Sequence, residues 1–600
     1  MANMTPAGAG VDLMETRYTD AELGAMTAPV SPAGHHAASF AEYLYWARRK
    51  RAEEDVDTSV VASQGWGRLI QSARNRNKNN ESLPTDSPAI NEKAPQNEKS
   101  PSNENDVSIE ERESQVDEYS GMSEHDRELL TARRVLRQAG WATVFYLITC
   151  DILGPFNAPF SVASIGMAPG ICLYILFGGV AFISGVMIHR IWLRLDSVRY
   201  PISLYGDMCE RTVGSWLKYI SSFLQCIQLT INVGLICLTN GQSLSQIIAG
   251  PNQTGHLCFS VTVLIWALCG MVIGMIRGLG NFSILANASV WLNLLIIFIS
   301  IGFAARSLPN YAAAMASSGL MPGPVQVSAT IPGQPLFVQI NGVFNMVFAY
   351  GGAMIFPEIM AEMRRPRDFV KGMALAQLLI VTVYLMYGIT LYALEGQFVQ
   401  AQSYTGLSPY SGQTICNVIG IITGTIAAGL YGNIGLKVIY RLIVETLFKG
   451  PGLMTPRGRI VWSCLVLVYW SVAFVLASAI PSVGALTGLL AAMGFFHFTY
   501  TFPPLMMLGL DLQIDAAIAD EPFQTPGVAP RQIDTWRQLS RWKRGILAGG
   551  RKRLYWKIAN FFFLLASLAT AGMGLWATGT DLKEALAHGA ATSLGCAPPV

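Results

Sequence analysis

Residues 148–159 read ITCDILGPFNAP, in which Gly154 and two prolines interrupt an otherwise apolar run. A second stretch, residues 348–358, reads FAYGGAMIFPE and contains a glycine pair and a proline. Helix breakers inside a membrane helix free backbone N–H and C=O groups, which protein, water or ligand must then satisfy. Matched interruptions in two halves of a membrane protein indicate a transporter's binding site. Ordinary proline kinks and close packing of small residues are the alternative interpretation.

The composition predicts an all-α polytopic membrane protein. Of 600 residues, 51% are hydrophobic and 14% are charged, whereas soluble domains have about 25% charged residues. A membrane-spanning helix needs about 20 mostly apolar residues. The two interrupted stretches lie in the first and sixth segments of this length, so each opens a group of five. Eleven segments qualify, at 140–167, 170–189, 216–246, 256–276, 280–305, 337–361, 372–393, 414–440, 459–480, 483–508 and 554–578.

The distribution of Lys and Arg predicts how the chain is oriented. These residues collect in cytoplasmic loops near the ends of spans. If the N-terminus is inside, the loops on the inner side contain most of the Lys and Arg residues, including a basic run over 531–557, and the loops on the outer side contain very few. We therefore expect a cytoplasmic, largely disordered tail at 1–135, a transmembrane domain at 136–578 and a short extracytoplasmic tail at 579–600. The disorder is expected because residues 75–118 are rich in Asn, Ser, Pro and Glu.

One short segment of the tail has the pattern of a helix. Phe40, Tyr43, Leu44 and Ala47 form an apolar stripe at helical spacing, followed by a basic run at 48–51. A helix on a membrane or partner surface would have this pattern. We favour a solvated helix.

Charge, cysteine content and motifs exclude several classes of function. A net charge of +3 indicates no nucleic-acid partner. The ten cysteines form no CxxC pair and most lie in apolar runs, so we expect neither a zinc site nor a disulfide framework. The sequence contains no HExxH motif and no GxSxG motif. We therefore expect no enzyme activity, no catalytic residue, no metal and no cofactor.

The predicted breaks suit a zwitterionic ligand. Exposed N–H groups at the start of a half-helix attract a carboxylate, and freed carbonyls at the end of one attract an ammonium group. An α-amino acid carries both groups. Backbone at the breaks would bind these common groups, and aromatic side chains would shape the pocket for the variable part. The expected substrate-binding residues are Gly154, Pro155, Phe156, Asn157, Phe348, Tyr350, Gly351 and Gly352.

Two carboxylates near the breaks are candidates for proton coupling. Asp151 lies mid-way along the first segment, where burial of a carboxylate is costly and by default marks a functional site. Its alternative role is a bond to a neighbouring helix or a place near the interface. Glu358 follows the second break. Lys437 either snorkels to the interface or supplies a fixed cation, and Asn345 is expected to join helices rather than to line the pocket.

These motifs together resemble the amino acid/auxin permease family, and within it the fungal neutral amino acid permeases. The resemblance rests on DILGPFNAP at 151–159, YPISLYGD at 200–207, FAYGG at 348–352 with PEIMAE at 357–362, and RPRDF at 365–369. It covers about 130–578 and implies the fold of the amino acid-polyamine-organocation superfamily, which is LeuT-like: two inverted five-helix repeats and an eleventh helix. It also implies amino acid symport, usually driven by protons in fungal relatives. Pro155 and Asn157 depart from the family's usual small and aliphatic residues, which leaves the side-chain preference open.

The combined expectation is a secondary active transporter that moves neutral amino acids with H⁺ by alternating access. Its expected partners are the amino acid, the lipid bilayer and cytosolic regulators of the N-terminal tail. The plasma membrane is favoured over the vacuole. The alternative is an amino-acid-sensing receptor that signals through its tail with little net transport.

Overall fold

The computed structural model describes most of the chain beyond residue 138 and one segment of the N-terminal tail. The predicted disorder at 75–118 lies outside the described residues. The residues that the structure describes are 39–56, 139–152, 154–251, 255–276, 282–453, 455–479, 482–521, 523, 531–587 and 595–596.

The structure confirms the prediction of an all-α polytopic membrane protein. Nine helices of the described part are long and apolar enough to cross a membrane. A shorter apolar helix and a broken helix at 141–165 complete the predicted eleven. In chain order, spans 1 to 11 are 141–165, Met167–Leu195, Ser215–Ala249, Phe259–Gly274, Phe282–Ala304, Leu336–Glu362, Phe369–Glu395, Tyr410–Ile439, Pro456–Ala479, Val483–Ala519 and Gly550–Ala587.

Spans 1 and 6 run antiparallel to each other. At the start of span 1, the Ala139 N–H donates to the Glu362 carbonyl at 3.2 Å, and the Arg364 N–H donates back to the Ala139 carbonyl at 3.0 Å. At the other end, a Cβ at Gly342 would lie 2.6 Å from Ser164 Cβ, so the start of span 6 packs closely on the end of span 1. An antiparallel pair of corresponding helices is what an inverted repeat requires.

The spans pack in two groups. Span 1 packs against spans 2, 6 and 7, and span 2 packs against spans 6 and 7; we call these four spans the bundle. Spans 3, 4, 8 and 9 contact one another, and we call them the scaffold. Span 5 packs on span 8 and on the first half of span 1, and span 10 lies against spans 3, 6 and 11. The two broken spans therefore both belong to the bundle.

The N-terminal segment forms a helix, Phe40–Val56, that packs against span 2. Trp46 is 2% exposed, and Lys50 Nζ donates to Asp196 Oδ2 at 2.5 Å. Arg51 Nη2 donates to the same carboxylate oxygen at 3.2 Å. The expectation of a solvated helix is therefore wrong, because its basic residues bind a buried carboxylate at the end of span 2.

A disulfide joins Cys258 and Cys596, which corrects the expectation that the chain has none. Cys258 precedes span 4, and Cys596 follows the last helix of the described chain. The Phe259 N–H donates to the Cys596 carbonyl at 3.1 Å, and Ser260 Oγ donates to the Gly595 carbonyl at 2.8 Å. The two cysteines are 338 residues apart, so no local spacing in the sequence indicates this bond.

Candidate functional site

Span 1 breaks where the sequence predicts. The helix Trp141–Ile152 ends, and a single 3₁₀ turn, Pro155–Asn157, leads into the helix Ala158–Ile165. Gly154 has φ −149° and ψ 69°, which is not helical, and Pro155 has no N–H to continue the hydrogen-bond ladder. A Cβ at Gly154 would meet only the Phe156 ring, at 3.9 Å, so there is open space beside the break.

Span 6 breaks at Phe348–Ile355, which is a 3₁₀ segment rather than an α-helix. Tyr350 lies outside the helical region at φ −125°, ψ 22°. Its freed carbonyl accepts a hydrogen bond from Thr499 Oγ1 at 3.0 Å, and its phenol donates to the Tyr174 carbonyl at 2.7 Å. Spans 10 and 2 thus satisfy part of the break, and Tyr350 and Gly352 are both buried.

A hydrogen bond connects the two breaks. Asn157 Nδ2 donates to the Asn345 backbone carbonyl at 3.3 Å. The amide oxygens Asn157 Oδ1 and Asn345 Oδ1 are both buried and have no hydrogen-bond partner among the described residues. Buried polar atoms are rarely left unpaired, so these two oxygens are candidate acceptors for a ligand with hydrogen-bond donors.

Aromatic rings flank the breaks. Phe348 packs edge-to-face on Phe495 of span 10 with ring centroids 5.0 Å apart, and a Cβ at Gly351 would lie 2.3 Å from Phe495 Cδ1. On the other side, Phe156 packs on Tyr404 with centroids 4.8 Å apart. The walls near the site are therefore apolar and closely packed.

The two proton-coupling candidates are placed differently. Asp151 belongs to the helix Trp141–Ile152, and its side chain is outside the described part of the structure. Glu358 lies one turn beyond the 3₁₀ segment of span 6, and its Oε1 is buried without a hydrogen-bond partner in the described chain. The positive charges of Arg441 and Lys437, in the span 8 region, act on this carboxylate. Both roles remain predictions.

Residues of span 10 lie against the span 6 break and residues of span 3 lie against span 10; both are further candidates for the site, and the sequence analysis missed them. Span 10 contains two π-helical segments, Ala491–Phe495 and His497–Thr501, of a kind that is frequent at functional sites. Gln228 of span 3 is fully buried, and neither polar atom of its side chain has a described partner. Its Oε1 lies 2.6 Å from where a Cβ of Gly494 would be. The aromatic run at 495–502 was a signal that could have been used.

Comparison with known proteins finds amino acid transporters. The family model described as "Transmembrane amino acid transporter protein" matches residues 137–512, more than half of the chain. The "N amino acid transport system protein" of Neurospora crassa is 25% identical over 391 residues, covering 64% of this chain and 79% of that protein. The "GABA transporter 1" of Arabidopsis thaliana is 22% identical over 392 residues, with 62% and 82% covered. The "Amino acid permease 4" of the same plant is 20% identical over 414 residues, with 62% and 86% covered.

The matched region contains both broken spans, the whole bundle and the whole scaffold, and it ends within span 10. The family and these relatives are transporters rather than enzymes, as the sequence analysis expected. The chain therefore belongs to the transmembrane amino acid transporter family, which confirms the resemblance read from its motifs.

Proposed function

We propose that this membrane protein is a secondary active transporter of neutral amino acids that works by alternating access and holds its substrate at the breaks of spans 1 and 6. The observation that carries the proposal is the pair of broken, antiparallel spans, joined by the hydrogen bond from Asn157 to the Asn345 carbonyl, within one four-span bundle. Rocking such a bundle against a scaffold exposes a central site to each side in turn.

The chemistry of the site supports an α-amino acid as substrate. The helix Ala158–Ile165 begins at the break, and N–H groups at a helix start favour a carboxylate. The Oδ1 atoms of Asn157 and Asn345, which have no partner among the described residues, suit an ammonium group, which only donates hydrogen bonds. Phe348 and Phe495 are apolar, which suits a neutral side chain. No cofactor takes part in this scheme.

Proton coupling is the proposed energy source. Glu358 supports it, because it is a buried carboxylate with one oxygen that has no described hydrogen-bond partner, and the charges of Lys437 and Arg441 act on it. The free energy of protonating such a group depends on the charges around it, so a change in its surroundings makes it bind or release a proton. Asp151 is the second candidate by its position in span 1.

The orientation proposed has the N-terminus in the cytosol and the C-terminus outside, with the plasma membrane favoured over the vacuole. The Cys258–Cys596 disulfide supports it, because disulfides persist in oxidising compartments and are rare in the cytosol. Cytosolic regulators of the tail then have access to the N-terminal helix.

An amino-acid-sensing receptor is the second candidate, and the N-terminal helix favours it. Tyr200 Oη donates to Glu42 Oε1 at 2.7 Å, and Arg367 Nη2 donates to the Arg51 carbonyl at 3.2 Å, so the helix contacts the segments that follow spans 2 and 6. Tyr200 donates its bond as a neutral phenol, and burial, together with the hydrogen bond to Glu42, raises its pKa to about 12. A signal at the tail could therefore report the state of the bundle.

Binding and uptake measured side by side test the proposal. Labelled alanine, glutamine, leucine and phenylalanine would be offered to the purified protein in a binding assay and to proteoliposomes in an uptake assay. A transporter gives saturable uptake of at least one of the four. Saturable binding with no uptake would favour the receptor and refute the transporter.

A further inference from the structure

Hydrogen bonds link span 11 to the break in span 1 through asparagine side chains and two backbone carbonyls. Asn341 Nδ2 donates to Asp581 Oδ2 at 2.8 Å. One turn further along span 6, Asn345 Nδ2 donates to the Asn341 carbonyl at 3.0 Å and lies 3.4 Å from Asn341 Oδ1. The Asn345 carbonyl then accepts from Asn157 Nδ2 at 3.3 Å. Asn341 and Asn345 are 4% and 0% exposed, so water does not compete for these bonds.

The carboxylate decides which way the Asn341 amide faces. An ionised carboxylate only accepts hydrogen bonds, whereas an amide carries donors on its nitrogen and an acceptor on its oxygen. Asn341 must therefore turn its NH₂ group to Asp581, which leaves its oxygen on the side of Asn345. Asn345 in turn directs its NH₂ group to Asn341, and its own Oδ1 is left without a partner in the described chain.

Span 10 leaves room for this arrangement. A Cβ at Gly488 would lie 1.8 Å from Asn341 Oδ1, so any larger residue there would displace the amide. Asn345 Nδ2 also lies 3.4 Å from the Gly484 carbonyl, which is a second acceptor on its NH₂ side. The Gly484 contact favours the orientation in which Asn345 Oδ1, which has no partner among the described residues, can accept a hydrogen bond.

We propose that Asp581 is a positioning residue for the substrate site: through Asn341 it orients Asn345 so that the amide oxygens of Asn345 and Asn157 accept hydrogen bonds from the substrate's ammonium group. The inference rests on the proposed function. It adds a contribution from span 11, which lies beyond the region matched by the family model.

The test compares single and exchanged variants in proteoliposome uptake, with the neutral amino acid of the four above that the wild type takes up fastest. Asp581→Asn replaces a partner that can only accept hydrogen bonds, so the Asn341 amide can turn its NH₂ group towards the NH₂ group of Asn345 and disturb the orientation of Asn345. We expect KM to rise about tenfold, the effect of roughly one lost hydrogen bond to a charged group, while kcat is kept. Glu584→Gln, an exposed carboxylate one turn away, is the matched control and should leave KM unchanged.

Exchange of the two residues provides the rescue. In the double variant Asn341→Asp with Asp581→Asn, the carboxylate at position 341 accepts from the amide at position 581 and from Asn345, so Asn345 keeps its orientation. KM should return to the wild-type value. An unchanged KM in Asp581→Asn, or a folded exchange variant with a raised KM, overturns the positioning role. The exchange variant is decisive by itself if the single variant fails to fold, and absence of uptake in the wild type would instead refute the proposed function.

Discussion

Replacement of Gly351 by alanine tests whether the break in span 6 needs close contact with span 10. The added Cβ would lie 2.3 Å from Cδ1, 2.7 Å from Cγ and 2.8 Å from Cε1 of Phe495. Contacts under 3.0 Å force a shift, and here the neighbour is the body of an aromatic ring rather than the end of a flexible side chain. The ring is also held by its edge-to-face contact with Phe348. Either the break or the ring must therefore move.

The size of the effect follows from the cost of overpacking. An extra methyl group in a well-packed contact costs about 1–3 kcal/mol. If the transporting state bears that cost, kcat/KM for uptake falls about 5- to 160-fold, because each 1.36 kcal/mol corresponds to a factor of ten. The assay is initial-rate uptake into proteoliposomes at equal amounts of reconstituted protein.

Two further variants make the result specific. Gly179→Ala in span 2 adds the same methyl group where nothing lies within 4 Å of the new Cβ, so it should leave uptake unchanged. Adding Phe495→Leu to Gly351→Ala removes the ring from the clash and should recover part of the lost rate. Uptake by Gly351→Ala equal to the wild type, or no recovery in the double variant, would refute the reasoning.

Three other outcomes are expected. Asp196→Ala leaves Lys50 buried without its carboxylate, which costs about 3–5 kcal/mol, so the N-terminal helix should undock and become cleavable by trypsin; unchanged protection would show that this ion pair does not hold the helix. Mass spectrometry of the non-reduced protein should find the peptides of Cys258 and Cys596 joined, and finding both thiols free would contradict the disulfide. Asp151→Asn should abolish uptake driven by a pH gradient and affect substrate exchange less, whereas unchanged proton-driven uptake would remove Asp151 from the mechanism.

The spans and the breaks were predictable because their causes are local. An apolar run of sufficient length has to form a helix in a bilayer, and Gly154 with Pro155 interrupts such a run by its own backbone chemistry. The same holds for the second break, where Tyr350 departs from helical geometry next to Gly351. The sequence therefore places both breaks to within a few residues.

The partners of the breaks were not predictable, because they lie far away in the chain. Thr499 binds the carbonyl of Tyr350 from 149 residues away, and no spacing rule connects them. In the sequence, Gln228 looks like any other polar residue of a span. In the structure, it is distinguished by being buried with no hydrogen-bond partner among the described residues. Asn345 was expected to join helices, and its NH₂ group does so by lying 3.4 Å from the Gly484 carbonyl of span 10. Its Oδ1 has no hydrogen-bond partner among the described residues.

The docking of the N-terminal helix was missed for a related reason. The pattern of Phe40–Val56 gives a helix, but the residue that decides its environment is Asp196, an acidic group in another part of the chain. A sequence pattern shows the face of a helix, and the structure shows what that face contacts.

Accumulation of a labelled neutral amino acid in proteoliposomes under an imposed pH gradient tests the central claim most directly. With the inside alkaline and the amino acid equal on both sides, the account predicts net accumulation that a protonophore abolishes and that an excess of an unlabelled neutral amino acid blocks. Substrate that only equilibrates across the membrane, or accumulation that persists with the protonophore, would contradict proton-coupled transport by this protein.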